Sequence, residues 1–337
     1  MKKIRVQDAI GTILSHDVTE IVPGKFKGRA FKKGHVIKEE DIDKLLSIGK
    51  EHVYVWEKEE GMLHENEAAE RIKNLVCGDG LSFGEIKEGK IEFIANKDGL
   101  LKINKAKLLE INMLGEIIVS TIQGDFAVKK GDKIGATRVI PLVIDEKKIE
   151  KAESLIKDKI IEIKNIIPKK TFAITTGNEV YSGRIKDAFG KVLKEKLREF
   201  NIELERQVIL PDNKEKITEE IKKALEEGAE LILCTGGMSV DPDDVTPTAI
   251  KDCGGELITY GSPVLPGAML LLAYYDEVPI LGIPSCAMYS KRTVLDLVLP
   301  RVLANEKLSF KDIASYGHGG FCLNCEVCTF PHCSFGK

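Results

Sequence analysis

From Thr171 onward, short apolar strands alternate with amphipathic helices, and this alternation constrains the fold more than any other feature of the chain. Strands apolar on both faces and joined through helices are the signature of a parallel, doubly wound sheet. Residues 172–175 read as the first strand, 208–210 as the second and 231–235 as the third. Between the first two, Ile185, Phe189, Val192, Leu193, Leu197 and Phe200 keep helical spacing. A helix beginning at Asp212, whose carboxylate can cap the amides ahead of Glu215, turns Ile217, Ile221, Ala224 and Leu225 to one face and stops at Gly228. Thr246-Pro247 opens another helix. Residues 257–260, 269–274 and 278–283 are further strands, and 289–303 form the last helix.

The preceding half has a different texture. Residues 32–56 hold a strand, a helix over 39–48 stopped by Gly49, and a strand over 52–56. A helix over 65–77 follows, and Gly-spaced β-branched runs over 80–145 point to hairpins or a small barrel. Residues 146–162 read as a charged helix, and 166–170 as a hinge. The expected order is a small α/β element over 1–60, a helix with a β-rich insert over 61–165, an α/β domain over 166–305 and a Cys-rich tail over 306–337.

Composition narrows the function classes. A hydrophobic fraction of 43% and a charged fraction of 31% are those of a globular enzyme with a packed core. The 50 Lys and Arg are interspersed with 53 Asp and Glu, for a net charge of −3, so no basic stripe offers itself to nucleic acid. No apolar run approaches the ~18 residues of a membrane span, and the start, MKKIRVQD, lacks an apolar segment of the secretory kind. A cytoplasmic location is expected. No His lies between His64 and His318, which excludes a Ser-His-Asp system from the α/β half. No phosphate-loop motif with its Lys occurs, and Gly78-Asp-Gly80 lacks the third glycine of a dinucleotide fingerprint.

In an open parallel sheet, ligands bind beyond the carboxyl ends of the strands, where loops present unpaired amides. Those ends hold TTGNE (175–179), LPD (210–212) and TGGMSVDPDDVTP (235–247). Gly236 and Gly237 let backbone approach a phosphate, and the hydroxyls of Thr235 and Ser239 can donate to it. Asp212, Asp241, Asp243 and Asp244 are hard oxygen donors of the kind Mg²⁺ uses beside substrate phosphates. The same residues also fit a plain turn, a helix cap and a solvated loop.

These three stretches resemble the molybdopterin-binding domain family, which includes molybdopterin adenylyltransferases and molybdotransferases, and whose fold competence/damage-inducible proteins share. The resemblance covers residues 168–304. It implies that Asp244, on the aspartate of the family's D-x-T-P, and Asp212, after the second strand, serve pterin phosphate and Mg²⁺-dependent chemistry, and that Glu179 is the acidic residue of a T-G-[DN]-E motif. Thr176, Gly177, Asn178, Thr235, Gly236, Gly237, Ser239 and Thr246 would complete the pocket. The segment GHVIKEEDIDKLLSIGKEHVYV, residues 34–55, is similar to the one that precedes this domain in molybdotransferases, although here a long insert separates the two. Where the family typically has K-P-G-K-P and G-L-P-G-N-P, this chain has VLPGA (264–268) and GIPSC (282–286), without the basic and Asn side chains.

Eight Cys divide unevenly: Cys77, Cys234, Cys253 and Cys286 are scattered, whereas Cys322, Cys325, Cys328 and Cys333 form C-x-x-C-x-x-C-x-x-x-x-C. Its last gap is one residue longer than in the bacterial ferredoxin run, and the packed thiolates suit an iron–sulfur cluster, with zinc as the alternative. The leading reading is therefore a Mg²⁺-dependent, molybdotransferase-like protein. It would bind molybdopterin or its adenylylated form together with molybdate, supply a molybdoenzyme, and self-associate as relatives do. A non-catalytic cofactor carrier or sensor with a docking or redox tail, and a nucleotide pyrophosphatase on the same fold, are the alternatives.

Overall fold

The computed structural model describes residues 2–22, 25–55, 60–239, 241 and 244–337. The chain divides into two compact units, Met1–Ile122 with Val128–Ile163, and Gln123–Ala127 with Lys164–Lys337.

The first unit contains two cores. Near the N-terminus, Lys2–Arg5 pairs antiparallel with His52–Val55, and Val18–Val22 with Phe26–Phe31, around Val6, Leu14, Ile37, Leu45 and Val53. The helix Asp41–Ser47 is followed by Gly49 at φ +78°, the expected stop; Trp56, the last residue of the predicted strand, lies outside the described residues. In the second core, the helix Glu65–Val76 buries Ala68, Ala69, Ile72 and Val76 with a four-stranded antiparallel sheet. Its strands run in the order Leu81–Phe83, Lys90–Ala95, Lys133–Val139 and Ile117–Thr121. Lys90–Ala95 alternates partly exposed and buried residues, which places Ile91, Phe93 and Ala95 inside. Two readings are corrected here. A helix, Lys105–Asn112, interrupts the β-rich stretch, capped by Asn104, which accepts from Lys107 N at 3.1 Å. The predicted helix over 146–162 ends at Leu155, and Ile161–Lys164 is a strand.

The second unit is built on one six-stranded sheet. Its strands are β1 (Thr171–Thr176), β2 (Leu204–Leu210), β3 (Leu231–Thr235), β4 (Glu256–Tyr260), β5 (Leu271–Tyr275) and β6 (Val278–Ile283). They lie in the order β2-β1-β3-β6-β5-β4, the first four parallel and β5 antiparallel to both of its neighbours, β6 and the edge strand β4. The expected mostly parallel sheet is thus present. Helices α1 (Asn178–Tyr181), α2 (Phe189–Arg198), α3 (Lys214–Glu226), α4 (Thr246–Asp252), α5 (Val294–Leu303) and α6 (Phe310–Ser315) connect and follow the strands. Alternate strand residues feed two cores. Phe172, Ile174, Ile232, Cys234 and Ile280 pack with α3 and α4, whereas Ala173, Leu233, Leu281 and Ile283 pack with α2 and α5. Burial on both faces explains why 172–174 and 231–234 read as unbroken apolar runs.

Three helix starts differ from the sequence reading, each through a polar side chain that satisfies first-turn amides. Helix α2 starts at Phe189, where Asp187 accepts from the amides of Phe189 and Gly190 at 2.9 and 3.0 Å; Ile185 stays 58% exposed ahead of it. Asn213, not Asp212, caps α3, accepting from Lys216 N at 2.9 Å. Helix α5 begins after Thr293, whose hydroxyl accepts from Leu295 N at 3.2 Å while Asp296 accepts from Thr293 N at 2.7 Å.

Candidate functional site

The strand order reverses between β1 and β3, and in a doubly wound sheet that reversal opens a crevice at the carboxyl ends of the two strands. The register brings those ends level, with Thr175 opposite Thr235 and Thr176 opposite Leu210. The TTGNE, LPD and TGG segments therefore leave the sheet side by side.

Two layers of polar side chains occupy this end. The deeper one is a closed network: Thr235 donates to Thr175 Oγ1 at 3.0 Å, and the Gln207 amide donates to the same oxygen at 2.9 Å and to Asp187 at 2.7 Å. Thr175 and Thr235 are fully buried, so their hydroxyls are spent holding β1, β2 and β3 in register. Above it, Thr176 and Thr246 bring their hydroxyl oxygens within 3.2 Å of each other. Gly237 fits against this pair, since a Cβ there would stand 2.8 Å from Thr246 Oγ1 and 3.2 Å from Thr176 Oγ1.

The acidic residues hold the loops. Asp212 Oδ2 accepts from Asn178 N at 2.9 Å, and Asn178 Oδ1 accepts from Asp212 N at 3.3 Å, a reciprocal clamp between the β1 and β2 loops. Asp244 Oδ2 accepts from Ser239 N at 2.7 Å and closes the loop after β3. Each carboxylate thus commits one oxygen to a backbone amide and has the second to offer a cation or a water bound to one. Glu179 is exposed on α1, its Oε1 3.1 Å from where a Cβ at Gly177 would stand, and Asp241 is exposed. Asp243 lies outside the described residues. Among the described residues no three His, Cys, Asp or Glu side chains converge on a single metal position.

Two positioning residues were not singled out in the sequence. Tyr260, at the end of β4, has its hydroxyl 3.1 Å from Met238 O and 3.0 Å from Ser239 O, and pins the loop after β3 from the far edge. Burial, and then the Asp244 charge, push that phenol above its ordinary range. Gln207 lies one residue ahead of the apolar run 208–210 read as the strand, and only the structure places it within β2.

The tail packs on the same unit. Phe335 is 2% exposed in the core that contains α5, and Cys322, Phe330 and Cys333 pack against it. All four tail cysteines are free thiols and line a single cavity of about 40 Å³. No helix among the described residues is long and apolar enough to cross a membrane.

Residues 172–304 match the family described as a probable molybdopterin binding domain, and residues 3–57 match a domain of unknown function, DUF8806. A CinA-like protein of Fervidobacterium nodosum is 28% identical over 129 residues, covering 38% of this chain and 31% of that protein. One from Thermosipho melanesiensis is 38% identical over 91 residues, covering 27% and 22%. The chain thus spans less than a third of the length of these curated relatives. Among solved structures, the tungsten cofactor synthesizing protein MoaB from Pyrococcus furiosus is 18% identical at a TM-score of 0.33, over 41% of this chain and 98% of that one. The molybdopterin biosynthesis MoeA protein from a Pyrococcus species is 14% identical at a TM-score of 0.33, over 90% of this chain and 74% of that one. Over residues 172–304 the chain is similar to the probable molybdopterin binding domain.

Proposed function

We propose that the β1–β3 crevice binds the phosphate end of molybdopterin or its adenylylated form, and that the chain acts in molybdenum cofactor biosynthesis as a Mg²⁺-dependent, molybdotransferase-like enzyme. Molybdate is the second substrate, AMP the released product, and a molybdoenzyme the recipient; self-association goes with this reading. The observation that carries it is the pair of carboxylates, Asp212 and Asp244, each tying a loop amide with one oxygen at the end of the sheet where the strand order reverses. Mg²⁺, when bound, neutralises charge on the phosphates. The chain's own part is positional: Gly236, Gly237 and Ser239 approach the phosphate, the buried Thr176–Thr246 pair supports Gly237 from beneath, and Thr235 stays within the sheet. Glu179 and Asn178 stand on the β1 side of the ligand. Transfer at a phosphoanhydride relies on such alignment and charge neutralisation more than on covalent catalysis by side chains.

The test separates charge from structure. Asp244→Asn keeps an oxygen to accept from Ser239 N but removes the anionic oxygen. AMP release with Mg²⁺ and molybdate should fall about a hundredfold, the order seen when one preorganised electrostatic partner is lost, with the melting temperature unchanged. Undiminished AMP release would remove Asp244 from the reaction.

A second reading, a carrier that binds cofactor without turnover, is favoured by VLPGA (264–268) and GIPSC (282–286), which lack the basic and Asn side chains that the resemblance leads one to expect. Gly267 of VLPGA lies so close to Val294 that a Cβ would stand 2.5 Å from Val294 Cγ1, so the turn packs against α5. Saturable pterin binding without AMP release distinguishes the carrier. A metal on the tail thiols, iron–sulfur or zinc, belongs to either reading.

A further inference from the structure

Because β5 runs antiparallel to both of its neighbours, β4 points the same way as β1, β2, β3 and β6. Five segments therefore leave the sheet at its carboxyl end: 177–188, 211–213, 236–245, 261–270 and 284–293. Together they carry six acids, Glu179, Asp187, Asp212, Asp241, Asp243 and Asp244, and only four cations, Arg184, Lys186, Lys291 and Arg292. Such a rim repels an anionic ligand unless positive charge offsets it. Two of the four cations are committed elsewhere. Lys291 Nζ donates to Glu326 O at 2.6 Å, and Arg292 Nη1 donates to Glu199 at 2.8 Å and to Asp296 at 2.7 Å. Arg184 and Lys186 are exposed and have no acidic partner among the described residues.

The segment that bears them is nonetheless tied to the crevice at both ends. At its start the amide of Gly183, a residue at φ +75°, donates to Val180 O at 3.0 Å, and the amide of Ile185 donates to Glu179 O at 3.1 Å, which folds the turn back onto α1. Helix α1 is itself held to the β2 loop by the Asn178–Asp212 clamp. At its far end Asp187 accepts from Gln207, whose amide also donates to Thr175 at the end of β1. Arg184 and Lys186 thus flank Ile185 on a strap with a fixed base. Beside them Tyr181 is 55% exposed and Ile185 58%. Two unpaired cations next to an exposed aromatic ring match a ligand that is both anionic and aromatic.

We infer that this strap, residues 181–186, distinguishes the adenylylated ligand from molybdopterin itself: Arg184 and Lys186 meet the phosphate that the adenylyl group adds, and its purine lies on Tyr181. This rests on the crevice being the pterin site and names what selects the ligand there. The charge balance carries it. Molybdopterin brings a single phosphate, for which the Gly236–Gly237 turn and a cation on Asp212 and Asp244 suffice. Adenylylation adds a second, and among the described residues of these five segments Arg184 and Lys186 are the cations left to meet it.

The experiment titrates the full chain, without oxygen and with Mg²⁺ but no molybdate, separately with adenylylated molybdopterin and with molybdopterin, so the two affinities are read in the absence of turnover. Wild type should prefer the adenylylated form. Arg184→Gln and Lys186→Gln should each weaken it about tenfold, as loss of one hydrogen bond to a charged group does. Tyr181→Ala should also cost about tenfold, as loss of one stacked base does. Affinity for molybdopterin should be unchanged in all three. Added salt should weaken the adenylylated complex of wild type more steeply than that of the variant with both cations replaced. Lys191→Gln, which removes an exposed cation from α2, should change neither affinity. Equal losses for the two ligands would make the strap a general anion patch and overturn the selectivity; unchanged affinities in the Arg184 and Lys186 variants would overturn the contact. Wild type that binds neither ligand would instead overturn the crevice as the pterin site, and this inference with it.

Discussion

At position 236 an added methyl group has nowhere to go. The residue has φ +83°, and its Cβ would stand 2.0 Å from Thr176 O, so the close approach of the β1 and β3 loops depends on glycine. Gly236→Ala should cost about 2 kcal/mol, the scale of a strained backbone position, and abolish pterin binding. Urea unfolding and a binding titration on the same preparation check it, and a variant that keeps wild-type stability and affinity would show that the loops meet differently. That Gly pairs, hydroxyls and carboxylates meet at the strand ends was legible in the sequence, although the same residues also fit a turn, a helix cap and a solvated loop. Their division of labour was not. That Thr235 serves the sheet through Thr175, while Thr176 and Thr246 meet above it, depends on which way each β-strand residue faces and on Gln207 across the neighbouring strand. Asp212 looked like a helix cap because Asn213, one residue later, has the same capping chemistry.

Among the elements, the doubly wound sheet was the most legible, since β1 and β3 are buried on both faces and the intervening helices keep a single apolar stripe. The helix Lys105–Asn112 was hidden because it buries only Ile111 and leaves Leu109 exposed, so hydrophobic periodicity does not mark it. The start of the helix Glu65–Val76 carries a pH signature that spacing could not reveal. His64 Nδ1 accepts from Asn66 N at 3.2 Å, which leaves the proton on Nε2 to be donated to Ser15 O at 2.7 Å. Beside it, burial pushes Glu65 from its ordinary 4.5 up to about 7. Since the folded value lies above the unfolded one, Glu65 favours the folded state fully below about pH 4.5, and that contribution is lost as pH rises through about 7. Glu65→Gln, which cannot ionise, should therefore gain stability over the wild type between pH 5 and pH 8, by up to about 3 kcal/mol at ~1.4 kcal/mol for each tenfold change in proton affinity. Urea unfolding followed by circular dichroism at both pH values measures this; an equal offset at the two would contradict the assignment.

At the scale of the whole molecule, the chain joins a recognisable α/β domain to a first unit with two cores of its own and to a cysteine loop seated on the domain's core. The comparisons reach the domain at 172–304 and the N-terminal segment at 3–57. The proposed function requires that the crevice between β1 and β3 bind a pterin phosphate and act on it. The direct measurement is an anaerobic titration of the full chain with adenylylated molybdopterin, Mg²⁺ and molybdate, following bound pterin and released AMP in the same samples. Saturable binding of about one pterin per chain is expected, with AMP released only when molybdate is present. Binding without AMP would make the protein a carrier, and an absence of saturable binding would contradict a pterin site in the crevice.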